Sequence, residues 1–142
     1  MQSQLATLNS EIFRLEPVWL VHVELAARDD ARVREAVTEA AGLIYGKYDR
    51  VAFESAAGLQ YFRPREGSHP GAVPSTHSMP VRVLRFSLPR DPELLTAALD
   101  AVNRAHSYEE PVVYVTESFA SRANYSQNRD NPNRWWNRGF EL

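Results

Sequence analysis

Apolar and polar positions change period several times along the chain, and each change marks an element. Residues 17–25, PVWLVHVEL, crowd Val, Leu and Trp with partial alternation, which predicts a strand buried on at least one face. From Asp29 or Asp30 the period becomes helical: Val33, Val37, Ala40 and Ile44 share one face, while Arg32, Arg34, Glu35 and Glu39 fall elsewhere. The two aspartates suit the start of that helix, and Gly42 or Gly46 its end. Residues 48–55 and 59–63 then read as the arms of a hairpin turned by Ala56-Ala57-Gly58. Residues 64–80 are dense in Pro, Gly, Ser and Thr and predict a long surface loop. Alternation resumes over 81–88 as a further strand. Asp91-Pro92-Glu93 supplies a cap, a proline at the first helical position and an early acid. Leu94, Leu95, Ala98, Val102 and Ala105 form the apolar stripe of the helix that follows, and residues 112–116, VVYVT, predict a last strand.

Strand, helix, hairpin, strand, helix, strand is the order of an α+β sandwich, in which two helices cover one face of an antiparallel sheet through split βαβ units. The predicted fold class is ferredoxin-like. Residues 17–118 form the domain, with an N-terminal arm over 1–16 and a C-terminal arm over 119–142. Leu5, Leu8, Ile12 and Leu15 recur at helical spacing in the first arm, in a segment too short to be a stable helix alone. The second arm is polar until Trp135, Trp136 and Phe140, large aromatics that a solvated tail has little reason to carry.

Composition narrows the function classes. The 142 residues suffice for one core and not for two ordinary domains. Sixteen basic residues stand against eighteen acidic ones, and a net charge of -2 provides no field for strong nucleic-acid binding or for an anionic membrane. Cysteine is absent, which removes disulfides, thiolate metal sites and cysteine nucleophiles. No stretch has the length of a membrane span or the pattern of a signal peptide, so a cytoplasmic protein is expected.

Candidate chemistry is sparse. His106, Tyr108, Glu109 and Glu110 sit between the second helix and the last strand, and with His77 or His69 of the loop they offer nitrogen and oxygen ligands to a divalent ion. Their structural use comes first, because a histidine suits a helix C-terminus and the spacings match no standard metal motif. Tyr108 is expected to carry more of the corner's stability than His106. Arg63 and Arg65 offer planar forks to a small anion, although no glycine-rich phosphate loop supports them. Nothing in the order of residues suggests a Ser-His-Asp triad or a zinc-protease helix. Trp135, Trp136 and Phe140 are read as contacts with a second copy of the chain, where Trp and Arg are enriched.

Three ordered motifs carry a resemblance: GKYDRVAF at 46–53, GLQYFRPREGSHP at 58–70 and HSYEEPVVYV at 106–115. Residues 19–117 resemble the insert domain of YqfO-type (Nif-three-like) proteins. The last motif also resembles the His-Pro-Tyr-Glu turn of CutA divalent-cation tolerance proteins, which share the ferredoxin-like sandwich. This resemblance implies a homotrimer. Whole YqfO-type proteins resemble enzymes through a separate lobe with a dinuclear metal site, and no stretch of these residues resembles that lobe. Ser107 also replaces the usual proline, which is expected to loosen the turn. The expected function is a non-enzymatic, self-associating binding or regulatory module without a cofactor. A CutA-like divalent-metal-binding protein is the alternative, and a hydrolase is the third.

Overall fold

The computed structural model describes residues 4–142. Five strands form one antiparallel sheet: β1 (Phe13–Leu25), β2 (Phe53–Glu54), β3 (Gly58–Phe62), β4 (His77–Pro89) and β5 (Val112–Ala123). The sheet order is β2-β4-β1-β5, and β3 also pairs with β4. Helices α1 (Asp30–Ala41) and α2 (Pro92–Ala105) cover one face of this ferredoxin-like sandwich. Alternation sets the faces: Val21, Val23 and Leu25 of β1 and Leu84, Phe86 and Leu88 of β4 point to the helices. They meet Val33 and Val37 of α1 and Ala98 and Val102 of α2. Each fully buried Leu or Val side chain contributes about 1.5–3 kcal/mol.

Several boundaries differ from expectation, and pairing explains most of them. β1 begins at Phe13 rather than at 17, because β5 runs beyond 116 to Ala123 and keeps Phe13 opposite that residue. β4 pairs with β1 only from Val18 onward. One side of β1 over 13–17 is therefore an edge, where the missing N–H of Pro17 is tolerated. Pro80 is accommodated likewise: β4 extends back to His77, and there it has only β3 as partner. The proposed hairpin between 48–55 and 59–63 does not form. Both segments pair with β4 instead, β2 at Leu84 and Arg85 and β3 from His77 to Val81, so they lie end to end along one strand. The true hairpin is β3–β4, and its loop spans 63–76.

Asp91 caps α2 as expected, its Oδ1 accepting the Glu93 N–H at 3.0 Å. α1 ends at Gly42, whose φ of 74° only glycine adopts without strain. The chain then turns so that Leu43 is buried and Ile44 is exposed, against the expected helical stripe. In the N-terminal arm, Gln4–Thr7 form a short 3-10 turn, and Leu15 belongs to β1. The C-terminal arm completes β5 and then forms two short helices, α3 (Tyr125–Asn128) and α4 (Trp135–Arg138).

Candidate functional site

The corner between α2 and β5 gathers most of the candidate residues. α2 ends where His106 turns to extended backbone, its N–H still donating to the Val102 carbonyl at 2.9 Å. The imidazole is buried. Nε2 donates to the Glu24 carbonyl at 2.8 Å, and Nδ1 accepts the Tyr108 N–H at 3.1 Å. Both ring nitrogens are thereby committed to backbone groups. The Tyr108 ring packs on His106 with centroids 4.6 Å apart, and its hydroxyl donates to Met79 Sδ at 2.8 Å. Burial, aided by Asp29 and Glu24 and opposed by Arg28, pushes the Tyr108 hydroxyl above its ordinary pKa.

Asp29, which the sequence suggested as a helix cap, is fully buried and makes no cap bond. Its carboxylate accepts the Ser107 hydroxyl at 2.6 Å and the Ser107 N–H at 3.4 Å, and it pairs with Arg32. Arg32 in turn donates to the Ala105 carbonyl at 2.7 Å, so one acid and one arginine bind the start of α1 to the end of α2. Burial alone would raise the Asp29 pKa. The two Ser107 bonds, with His106 and Arg32 nearby, outweigh it and hold the carboxyl below its ordinary value. Ser107 therefore ties the corner through a hydroxyl and an N–H, neither of which proline has.

Glu109 Oε1 accepts the His69 N–H at 3.0 Å and fastens the long loop to the corner. His77 stacks on Phe62 at 5.2 Å, and Phe62 lies 6.5 Å from Tyr108. His77 Nε2 is bonded to the Val73 carbonyl at 2.9 Å. Glu110, Arg63 and Arg65 are exposed, and the two guanidinium groups have no partner among the described residues. Among the described residues, no group of three or more His, Asp or Glu is placed to hold a metal ion.

Two further polar clusters were not anticipated. Asp30 and Glu54 share Arg34 and Arg82 at N–O distances of 2.9–3.9 Å. Contact with Asp30 and burial raise the Glu54 pKa despite both arginines. On the face of the sheet away from the helices, Glu24 accepts from Gln60 at 3.1 Å and pairs with His22 at 3.0 Å. Gln60 reaches Glu24 only because β3 pairs with β4.

The tail folds back on its own chain. Trp136 Nε1 donates to the Arg129 carbonyl at 3.0 Å, and Trp135 and Trp136 meet edge to face at 5.6 Å.

No protein-family model matches the sequence, and no curated protein matches it. Solved structures do. A Bacillus cereus protein related to NIF3 superposes with a TM-score of 0.61 and 24% identity over 73% of this chain. The match spans 26% of that protein, so this chain corresponds to about a quarter of its length. The divalent ion tolerance protein CutA1 of Ehrlichia chaffeensis gives a TM-score of 0.52 at 14% identity, covering 71% of this chain and 80% of that one. CutA1 of Oryza sativa gives 0.52 at 15% identity, with 77% and 84% covered. The chain shares the ferredoxin-like fold of the NIF3-related protein and of CutA1.

Proposed function

We propose that the chain is a self-associating binding module rather than a catalyst, working in the cytoplasm, with its ligand held by the long loop. The two open edges of the sheet support self-association most directly. Among the described residues, β5 pairs only with β1 and β3 only with β4, and these edge strands carry Tyr114 and Tyr61, 60% and 67% exposed. An open edge is a template for another strand. Contact between the two unlike edges of successive copies forms a ring where the rotation closes, and the resemblance to YqfO-type inserts and CutA makes a homotrimer the expected size. Phe140, 56% exposed, adds apolar area for a neighbouring copy. No described helix is long and apolar enough to cross a membrane.

Binding rather than catalysis fits the corner, where both His106 ring nitrogens and Glu109 Oε1 are bonded to backbone groups. The unpaired guanidinium groups of Arg63 and Arg65 are left to receive a small carboxylate or phosphate. A divalent ion is the second reading, favoured by the fold shared with proteins named for divalent ion tolerance.

Light scattering after gel filtration should show a trimer at micromolar concentration, and Tyr61→Lys with Tyr114→Lys should yield monomer. A wild-type monomer overturns self-association. Calorimetric titration with copper, zinc and nickel separates the ligands. A stoichiometric metal site that is lost in His77→Ala favours the second reading.

A further inference from the structure

The chain between α1 and β2 doubles back sharply, with Gly42, Leu43, Gly46 and Arg50 all at positive φ. Tyr45 and Tyr48 close this turn by exchanging backbone hydrogen bonds of 2.7 and 3.1 Å. The C-terminal segment docks on it. Tyr125 Oη accepts the Lys47 N–H at 2.8 Å, and Lys47 Nζ lies 4.3 Å from the Tyr125 ring centroid. Behind Tyr125, Arg134 donates to Asn128 Oδ1 at 2.9 Å, and the Trp136 bond to Arg129 brings α4 alongside.

Between the turn and this segment lies a cavity of about 470 Å³, lined by Lys47, Tyr48, Arg129, Arg134, Trp135 and Trp136 among others, with Leu142 also against it. Its size falls within the usual range for small-ligand sites. None of the three cations has a carboxylate partner among the described residues: Lys47 faces a ring, Arg134 an amide, and the Arg129 side chain no partner. Trp135, Trp136 and Tyr48 are 36%, 47% and 56% exposed, so their rings are not consumed by packing. Unneutralised positive charge and open π surfaces thus converge on one concavity in a chain whose net charge is -2.

We propose that this cavity binds a planar aromatic anion, specifically a phosphorylated nucleoside. The indole and phenol rings stack on a flat base, and the cations neutralise the phosphate. An inorganic anion forgoes the stacking, and an uncharged ring leaves the cations unmatched. A free nucleotide and the phosphorylated end of a single strand present the same chemistry. The site is separate from Arg63 and Arg65 and does not depend on the loop-ligand proposal.

Titration of the full chain with AMP, followed by tryptophan fluorescence and calorimetry, tests the site. AMP should bind saturably, with adenosine and inorganic phosphate each weaker by about tenfold or more. Arg129→Gln and Lys47→Gln, each checked for native circular dichroism, should weaken AMP by a similar factor, whereas Arg63→Ala with Arg65→Ala should not. Competition by a 5′-phosphorylated hexanucleotide at equal affinity assigns the strand end, and failure to compete assigns the free nucleotide. Adenosine binding as tightly as AMP, unchanged affinity in both cavity variants, or no saturable binding up to about 1 mM overturns the proposal.

Discussion

Replacing Asp29 by alanine removes the acceptor that joins the beginning of α1 to the corner after α2. The side chain is fully buried and serves two Ser107 donors and Arg32. Ser107 is itself exposed, so its donors can turn to water and cost less than the about 1–3 kcal/mol of a fully buried donor left without a partner. The Arg32 side chain is 55% exposed and can turn to water, which discounts its share. The 3.4 Å amide contact is long and adds little. The expected loss is therefore about 1–3 kcal/mol. Asp29→Asn keeps the volume and one acceptor oxygen and should lose about half of that. Urea denaturation at neutral pH reads the difference as a lower midpoint with an unchanged slope. The pH dependence has a defined sign: the folded pKa lies below the unfolded one, so the stabilisation is complete above the ordinary carboxylate value of about 4. It is lost as pH falls through the depressed folded value, and the gap between wild type and Asp29→Asn should narrow there. An Asp29→Ala protein within about 0.5 kcal/mol of wild type at neutral pH would refute the role assigned to this carboxylate.

His106→Ala should destabilise more than Tyr108→Ala, by about 2–4 against 1–3 kcal/mol, because it removes a buried imidazole and leaves the partly buried Glu24 carbonyl and Tyr108 N–H without it. Chemical denaturation of the two variants gives the order, and it is the reverse of the sequence-based expectation. Gly46→Ala should loosen the C-terminal segment without unfolding the sheet, since the glycine has a φ of 62° and its missing Cβ would collide with Tyr125 Oη. Hydrogen exchange should rise over 124–138 and stay low in β1, and equal protection in both proteins would count against this docking.

Most of the sandwich was legible because its signals are local. The stripe of α2 and its Asp91-Pro92 start lie in adjacent residues, and the structure uses them as written. What escaped depends on partners distant in sequence. Residues 13–16 carry no strong strand signal and become strand because β5 continues to Ala123 and Arg122 Nε reaches Glu16 at 2.8 Å. The false hairpin arose because Ala56-Ala57-Gly58 looks the same whether it reverses the chain or passes it along β4. Asp29 looked like a cap, and only the fold brings Ser107 to it. His106, Tyr108 and Glu109 were recognisable as a corner, yet the backbone partners that occupy the histidine nitrogens could not be read from the motif.

The two clusters of interest sit at opposite ends of the same central strand. His106 binds the carbonyl of Glu24 near the end of β1, and Glu109 holds the long loop there. At the other end, Asn124 N–H donates to the Ile12 carbonyl just before Phe13, and the C-terminal segment begins. Eleven residue steps of about 3.3 Å separate Phe13 from Glu24, so roughly 35 Å lies between them. Charges that far apart are screened at physiological salt, and they share no hydrogen-bond partner. Energetic changes at the corner should therefore add to those at the tail rather than couple with them. The connecting structure is the sheet itself, with Arg122 bridging from Glu16 to the face of Tyr45 at 4.1 Å. The extension of β1 and β5 beyond the sequence-predicted strands thus has a specific use: it forms the platform on which the 42–50 turn and the C-terminal segment rest.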